Sequence, residues 1–401
     1  MLSPARSIPL ETHLSSANPS EFPANVPWAL LVECARPTPD LLGLHERLRG
    51  GADWHLLLEL AEQHGVFGLL ALRLLDCGEG IVPREISEEL KERHRAQVMT
   101  TLRLNAEMFR LLDGFGVLGV EALVIKGPVL SMRCYGDPGL RNYGDLDLIA
   151  RDNDLLRVTE MMMGLGYEPR VPVIAIHAKK APGEYAFLHS RTKLRIEFHT
   201  EVTFRYHPRP LPVARLFEQK ARVIIDAHEI PALSPEEELL LICIHGAKHL
   251  WDRLSYIADV AAFVSRQKLD WGRVKTAAVE IDAERMLRTA LRLAADVLGA
   301  PLSGEIEAYV QADPVAERLT GQIMRWLPAG GSAQPGIFER AMFRMRMRGG
   351  MLSSAAYLLR LSLSPTEEDW ADSGGSKRPR FWDALRRPFR LARKYGRDGK
   401  S

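Results

Sequence analysis

The sequence predicts an α+β protein in which a small mixed β-sheet unit is flanked by N-terminal and C-terminal helical segments. Three observations carry that prediction. Leucines and other apolar residues recur at helical spacing over residues 27–118. Between residues 119 and 230 the texture turns to short runs that alternate with period two, "GDLDLIA" and "KLRIEFHTEV". Helical spacing then returns over residues 231–370.

Each element follows in order. Residues 1–26 are rich in Ser, Pro and Asn and read as a loose segment. "DWHLLLELAEQHGVFGLLALRLLD" and the long run "ISEELKERHRAQVMTTLRLNAEMFRLLDGFG" are amphipathic helices. "VEALVIKGPVL" is a short apolar strand that ends at Lys126-Gly127. "RDNDLLRVTEMMMGLGYEP" is a helix capped near Asp152 and stopped at Gly164 or Gly166. "GEYAFLHS" and "KLRIEFHTEV" meet at a polar turn around residues 190–192, which predicts a hairpin. Ser234 followed by Glu237 is a capping box that opens the C-terminal helices. Residues 371–401 form a basic tail with interleaved aromatics.

Bulk composition narrows the function classes. With 46% hydrophobic and 26% charged residues and a net charge of +2, the chain is an ordinary globular protein rather than a polyelectrolyte. Four scattered cysteines without a CxxC pair argue against a zinc ribbon or a disulfide framework. The N-terminus lacks an apolar signal core, and no window of about 18 residues is apolar enough to span a bilayer. A cytoplasmic location is the expectation.

The chemistry is expected in "LRNYGDLDLIARDNDLL". On a strand, Asp145 and Asp147 share one face while Leu146 and Leu148 take the other. Two adjacent carboxylates repel unless something compensates, and a hard divalent cation does so well. On the later strand Arg195, Glu197 and His199 share a face. If the two strands pair, Glu197 joins the aspartates as a third carboxylate, a set suited to two metal ions gripping a phosphoryl group. Lys126 and Gly127 end the preceding strand, where a glycine turn lets backbone approach a phosphate. Arg141, just upstream, adds a fork of donors.

The order strand, glycine turn, DxD strand and later lone acid resembles the nucleotidyltransferase superfamily that includes DNA polymerase beta and the aminoglycoside nucleotidyltransferases. More narrowly, "LVIKGPVL", "YGDPGLRNYGDLDLIARDNDL", "LGYEP", "IEFHTEV", "HGAKHLWDRLSYIADVA" and "SPTEEDW" resemble a bacterial group of uncharacterised nucleotidyltransferase family proteins. The resemblance implies a nucleotidyltransferase core over residues 119–230 and transfer of a nucleoside monophosphate from a nucleoside triphosphate to an acceptor, with release of pyrophosphate. Asp145, Asp147 and Glu197 would be the catalytic metal ligands, holding two Mg2+ ions with Mn2+ as the substitute. Lys126, Gly127 and Arg141 would contact phosphates. The chain departs from the superfamily at the usual Gly-Ser turn, which here is Lys126-Gly127-Pro128 and lacks the N–H that proline cannot supply.

Other residues admit more than one reading. His245 and His249 stand at zinc-ligand spacing, but Gly246 replaces the glutamate of HExxH. The preferred reading turns His245, Lys248 and His249 toward the cleft, against phosphate or acceptor, as the resemblance implies. His199 either supports Glu197 or touches substrate. The basic tail reads as an amphipathic helix docked on the protein, with RNA or an anionic surface as the alternative partner. Two further classes stay open: a non-catalytic nucleotide-binding or partner module, and a toxin-like tRNA nucleotidyltransferase. The acceptor and the base preference are not specified by any residue.

Overall fold

A computed structural model describes residues 27–350 except 78–79, 174–175, 177–182, 202–208, 210 and 334, together with residues 352–354 and 356. The expected N-terminal loose segment, the "SPTEEDW" motif and the basic tail lie outside the described residues.

The N-terminal helices are α1 (Pro27–Ala35), α2 (Leu41–Arg49), α3 (Trp54–Gln63), α4 (Phe67–Leu75) and α5 (Arg84–Val117). Asp40 and Asp53 cap α2 and α3 by accepting from the backbone N–H groups of Gly43 and Leu56. Then come β1 (Ala122–Ile125), α6 (Gly127–Tyr135), β2 (Asp145–Ala150), α7 (Leu155–Gly164), β3 (Tyr167–Pro169), β4 (Glu184–His189) and β5 (Arg195–His199). The N-cap of α7 is Asp154, two residues beyond the acid expected to start it. A short helix α8 (Val213–Glu218) leads into β6 (Ala221–Ile225) and β7 (His228–Ala232).

The seven strands among the described residues form one mixed sheet in the order β3-β4-β5-β2-β1-β7-β6. The predicted hairpin is β4–β5, with Ala186 opposite Glu197. β1 runs antiparallel to β2, whereas β2 and β5 run parallel. The sheet extends to Ala232 because β7 adds alongside β1.

Strand alternation divides the core in two. Val124, Leu146, Leu148, Ile196 and Phe198 pack with Leu104, Met108, Leu111 and Phe115 of α5 and Val158 and Met162 of α7. The α5 spacing of four, three and four residues is the helical stripe that the sequence displays. On the opposite face, Leu123, Ile125 and Ile149 join a core built by the remaining helices.

Those helices include α9 (Pro235–Lys248), α10 (Leu254–Arg266), α11 (Trp271–Glu280), α12 (Glu284–Leu298), α13 (Gly304–Gln311) and α14 (Pro314–Trp326). A 3-10 turn (Leu327–Ala333) and α15 (Ile337–Arg346) follow. Ser234 caps α9 by accepting from Glu237 N–H, as the capping box predicts. Leu30, Leu31, Leu57 and Leu70 from the N-terminal helices belong to the same apolar cluster as Leu240, Ile257, Phe263 and Leu291. Helices α1–α4 and the C-terminal helices therefore form one body against one sheet face, while much of α5 covers the other. Among the described residues, no helix is long and apolar enough to cross a membrane.

A buried ion pair anchors α6 to this body. Arg133 bonds to Glu238 of α9 and donates to the Leu233 carbonyl at 2.8 Å. Both side chains are almost wholly inaccessible. Removing one partner strands the other charge in the interior. Arg133→Met should cost about 3–5 kcal/mol in urea unfolding, and adding Glu238→Leu should recover much of that loss. Additive losses in the double variant would show that the pair does not act as a unit.

Candidate functional site

The candidate site lies on the sheet face that looks toward α9 and α10. Parallel pairing sets Asp147 directly opposite Glu197, and Asp145 opposite Arg195. Antiparallel pairing sets Ile125 opposite Asp147, so Lys126 emerges at the edge of the same pair. The expected strand pairing and shared carboxylate face are both present.

Asp147 is the hub. Its Oδ1 lies 3.3 Å from Lys126 Nζ and 2.8 Å from His199 Nε2. Burial pushes its carboxyl pKa up, but the Lys126 ammonium and His199 outweigh this and hold it far below the carboxylate range. Glu197 behaves oppositely. Burial, then the negative charges of Asp147 and Glu184, push its pKa up to about 7. Its ion-pair contacts are Arg195 and, at 3.9 Å, His199 Nε2. Asp145, at the half-exposed start of β2, is raised by burial and by Asp147.

Asp147, Glu197 and His199 each offer a ligand atom within 4.8 Å of the others, the one such group of three among the described residues. Two carboxylates and an imidazole on one buried surface fit a divalent cation. Asp145 stands one strand step away on the same face but outside that compact set.

The turn before α6 is conformationally demanding. Lys126 has φ 53° and ψ −142°, a sparsely populated region for a residue with a Cβ, and Gly127 has φ 41°. The strain carries the chain from β1 into α6 while aiming Lys126 at Asp147. Pro128 falls in the first turn of α6, where an N–H would lack an intrahelical partner in any case. The departure from a Gly-Ser turn thus costs the helix nothing.

The α9 residues also come to this site. His245 and His249 have ring centroids 4.7 Å apart, and both pack against Tyr256 at 5.4 and 5.5 Å. Burial, then Lys126, push His245 well below the usual imidazole range. Burial, then Lys248 and Lys126, lower His249 to about 4. Both rings are neutral at pH 7. Gly246 between them is the place where the Trp251 ring packs, since a Cβ there would meet the indole at 2.4 Å. That contact is the physical reason a side chain is missing from the zinc-like motif.

Arg141 is engaged rather than free. Its Nε donates to Asp259 Oδ2 at 2.9 Å, and Tyr135 Oη donates to Asp259 Oδ1 at 2.9 Å. Its charge is still felt at Asp145. Two acids escaped the sequence reading. Asp259 is a lone carboxylate in the apolar stretch "YIADVAAF", a signal that was visible. Glu184 lies opposite His199 through the β4–β5 register. Burial raises its pKa, but His199, Lys248, Lys126 and a hydrogen bond from Glu197 bring it below the usual value.

The fold and this acidic face are those expected of a nucleotidyltransferase. The chain belongs to the family described as uncharacterised nucleotidyltransferase, whose profile matches residues 50–299, more than half its length. No curated protein matches it significantly. Among solved structures it is similar to the lincosamide antibiotic adenylyltransferase LnuA with lincomycin bound, at 16% identity over 40% of this chain and 97% of that one, TM-score 0.31. It is also similar to an antigenic nucleotidyltransferase-like protein from Paracoccidioides brasiliensis, at 12% identity over 53% of this chain and 93% of that one, TM-score 0.31. At these TM-scores neither neighbour assigns a substrate.

The raised Glu197 pKa has a stability consequence in metal-free protein. Between the unperturbed value of 4.5 and about 7, the native state holds a proton that the unfolded chain has released. Stability therefore falls as pH rises through that window. Asp147 has the opposite sign, so its contribution is intact above 3.8 and is lost only in acid. Glu197→Gln should stabilise the metal-free protein at pH 8 by on the order of 2 kcal/mol, with little effect near pH 4. Urea unfolding at the two pH values checks this, and an equal effect at both would refute the assignment.

Proposed function

We propose that the protein is a metal-dependent nucleotidyltransferase that moves a nucleoside monophosphate from a nucleoside triphosphate to an acceptor and releases pyrophosphate. The observation that carries this reading is the register of β2 against β5, which sets Asp147 beside Glu197 with Lys126 at the same carboxylate. Family membership supports it.

Asp147 and Glu197 would hold a divalent cation, Mg2+ or Mn2+, and Asp145 would add a ligand toward a second ion. Bound there, the cation neutralises triphosphate charge and polarises the phosphorus under attack. The chain's own residues do the rest. His199 keeps Asp147 oriented by its 2.8 Å hydrogen bond. Lys126 sits where phosphate charge would be met, and the Gly127 turn opens α6 with its unsatisfied N–H groups toward the same place. Neutral His245 and His249 can hydrogen-bond an acceptor or a phosphate without competing for the cation's charge, while Lys248 adds a positive one. Glu197, on the same face, is the group able to take the proton of an acceptor hydroxyl. Arg141, through Asp259, braces the segment that leads into β2.

The test is calorimetric titration of each nucleoside triphosphate, with and without Mg2+, on wild type and Asp147→Asn. The expected result is Mg2+-dependent binding of at least one triphosphate, weakened more than about tenfold in the variant. Absence of binding to folded wild type would contradict the reading. Binding without pyrophosphate release, across a broad acceptor screen, would favour the non-catalytic module.

A further inference from the structure

A pocket lies at the C-terminal end of α6, the end away from Lys126. Its volume is about 200 Å3, and the C-terminal parts of α1, α4, α6 and α10 wall it. Three arginines are among its lining residues, Arg36, Arg73 and Arg266, together with Tyr135, Leu69 and Leu140. No carboxylate is in the lining.

The charges around it do not balance. Arg36 Nε has Glu33 at 3.5 Å, but Glu33 also accepts from the Asp40 N–H at 2.7 Å and lies 3.9 Å from Arg47. Among the described residues, neither Arg73 nor Arg266 has an ion-pair partner. Among the described residues, the Nε atoms of Arg36 and Arg73 have no hydrogen-bond partner, while Arg266 is exposed. Those two atoms are closed off from solvent, so an anion in the pocket would be met by the terminal nitrogens of the arginines. A guanidinium cluster of this kind suits carboxylate or phosphate oxygens, which match its planar fork. The leucine and alanine walls suit an apolar body.

The geometry points to a binding site for a small organic anion, an aryl or alkyl carboxylate or phosphate monoester, seated among Arg36, Arg73 and Arg266. This site is separate from the sheet carboxylates. The nine residues of α6 put about 12 Å between Lys126 and the pocket. Tyr135 forms part of the pocket wall and also bonds Asp259, which holds Arg141, so the two sites share a hydrogen-bonded neighbour.

The experiment is calorimetric titration of phenyl phosphate and of benzoate in the absence of Mg2+, with benzyl alcohol as the neutral control. Wild type, Arg73→Gln, Arg266→Gln and Lys126→Ala are compared, each checked for folding by its thermal melt. At least one of the two anions should bind at millimolar concentration or below, and benzyl alcohol more than about tenfold more weakly. Each glutamine substitution should weaken the anion about tenfold, and Lys126→Ala should leave it unchanged. The tighter anion identifies the head group. Lack of binding by both anions, equal binding of the alcohol, full binding in both glutamine variants, or loss in Lys126→Ala would each overturn the inference.

Discussion

Parallel pairing of β2 with β5 places the carboxylates of Asp147 and Glu197 side by side on a mostly apolar sheet, and the surrounding structure is organised around that electrostatic problem. Two buried like charges cannot both be ionised without compensation. The protein answers unequally. Lys126 and His199 converge on Asp147, which stays ionised, while Glu197 is driven toward the protonated form. A strained turn at Lys126 accompanies this arrangement: the chain leaves β1 there with a positive φ, and the ammonium reaches Asp147 on the neighbouring β2.

The helices around this face hold the turn in place rather than supply the acids. Arg133 ties α6 to α9, and Asp259 of α10 gathers Tyr135 and Arg141. The His245–His249–Tyr256 group is set by a tight turn in which Trp251 covers Gly246. The site is therefore assembled across three regions of the chain, and the N-terminal helices contribute through the shared core rather than through side chains at the carboxylates.

Much of this was legible in the sequence, for reasons that differ by element. Period-two alternation in "DLDLI" and "LRIEFH" fixed which side chains share a face, and the polar turn at 190–192 fixed the β4–β5 hairpin. From those two facts the carboxylate cluster followed. The parallel sense of β2 and β5 did not, because it depends on a long crossover that no local pattern records. The same limit hid the merger of the two helical flanks and the commitment of Arg141 to Asp259, since both are contacts between residues more than 100 positions apart. Lys126 was expected as a phosphate contact from its place beside a glycine. Its direct contact with Asp147 depends on a left-handed backbone that sequence rarely predicts for lysine.

In the proposed function the Asp147–Glu197 pair holds a divalent cation. Mn2+ titration followed by the electron paramagnetic resonance signal of free Mn2+ tests it directly, with and without a nucleoside triphosphate. The expected result is saturable loss of the free signal with wild type, at a stoichiometry of about one or two per chain, and its return in a folded Asp147→Asn, Glu197→Gln variant. A free Mn2+ signal undiminished by wild type under both conditions, or diminished equally by the double variant, would contradict it.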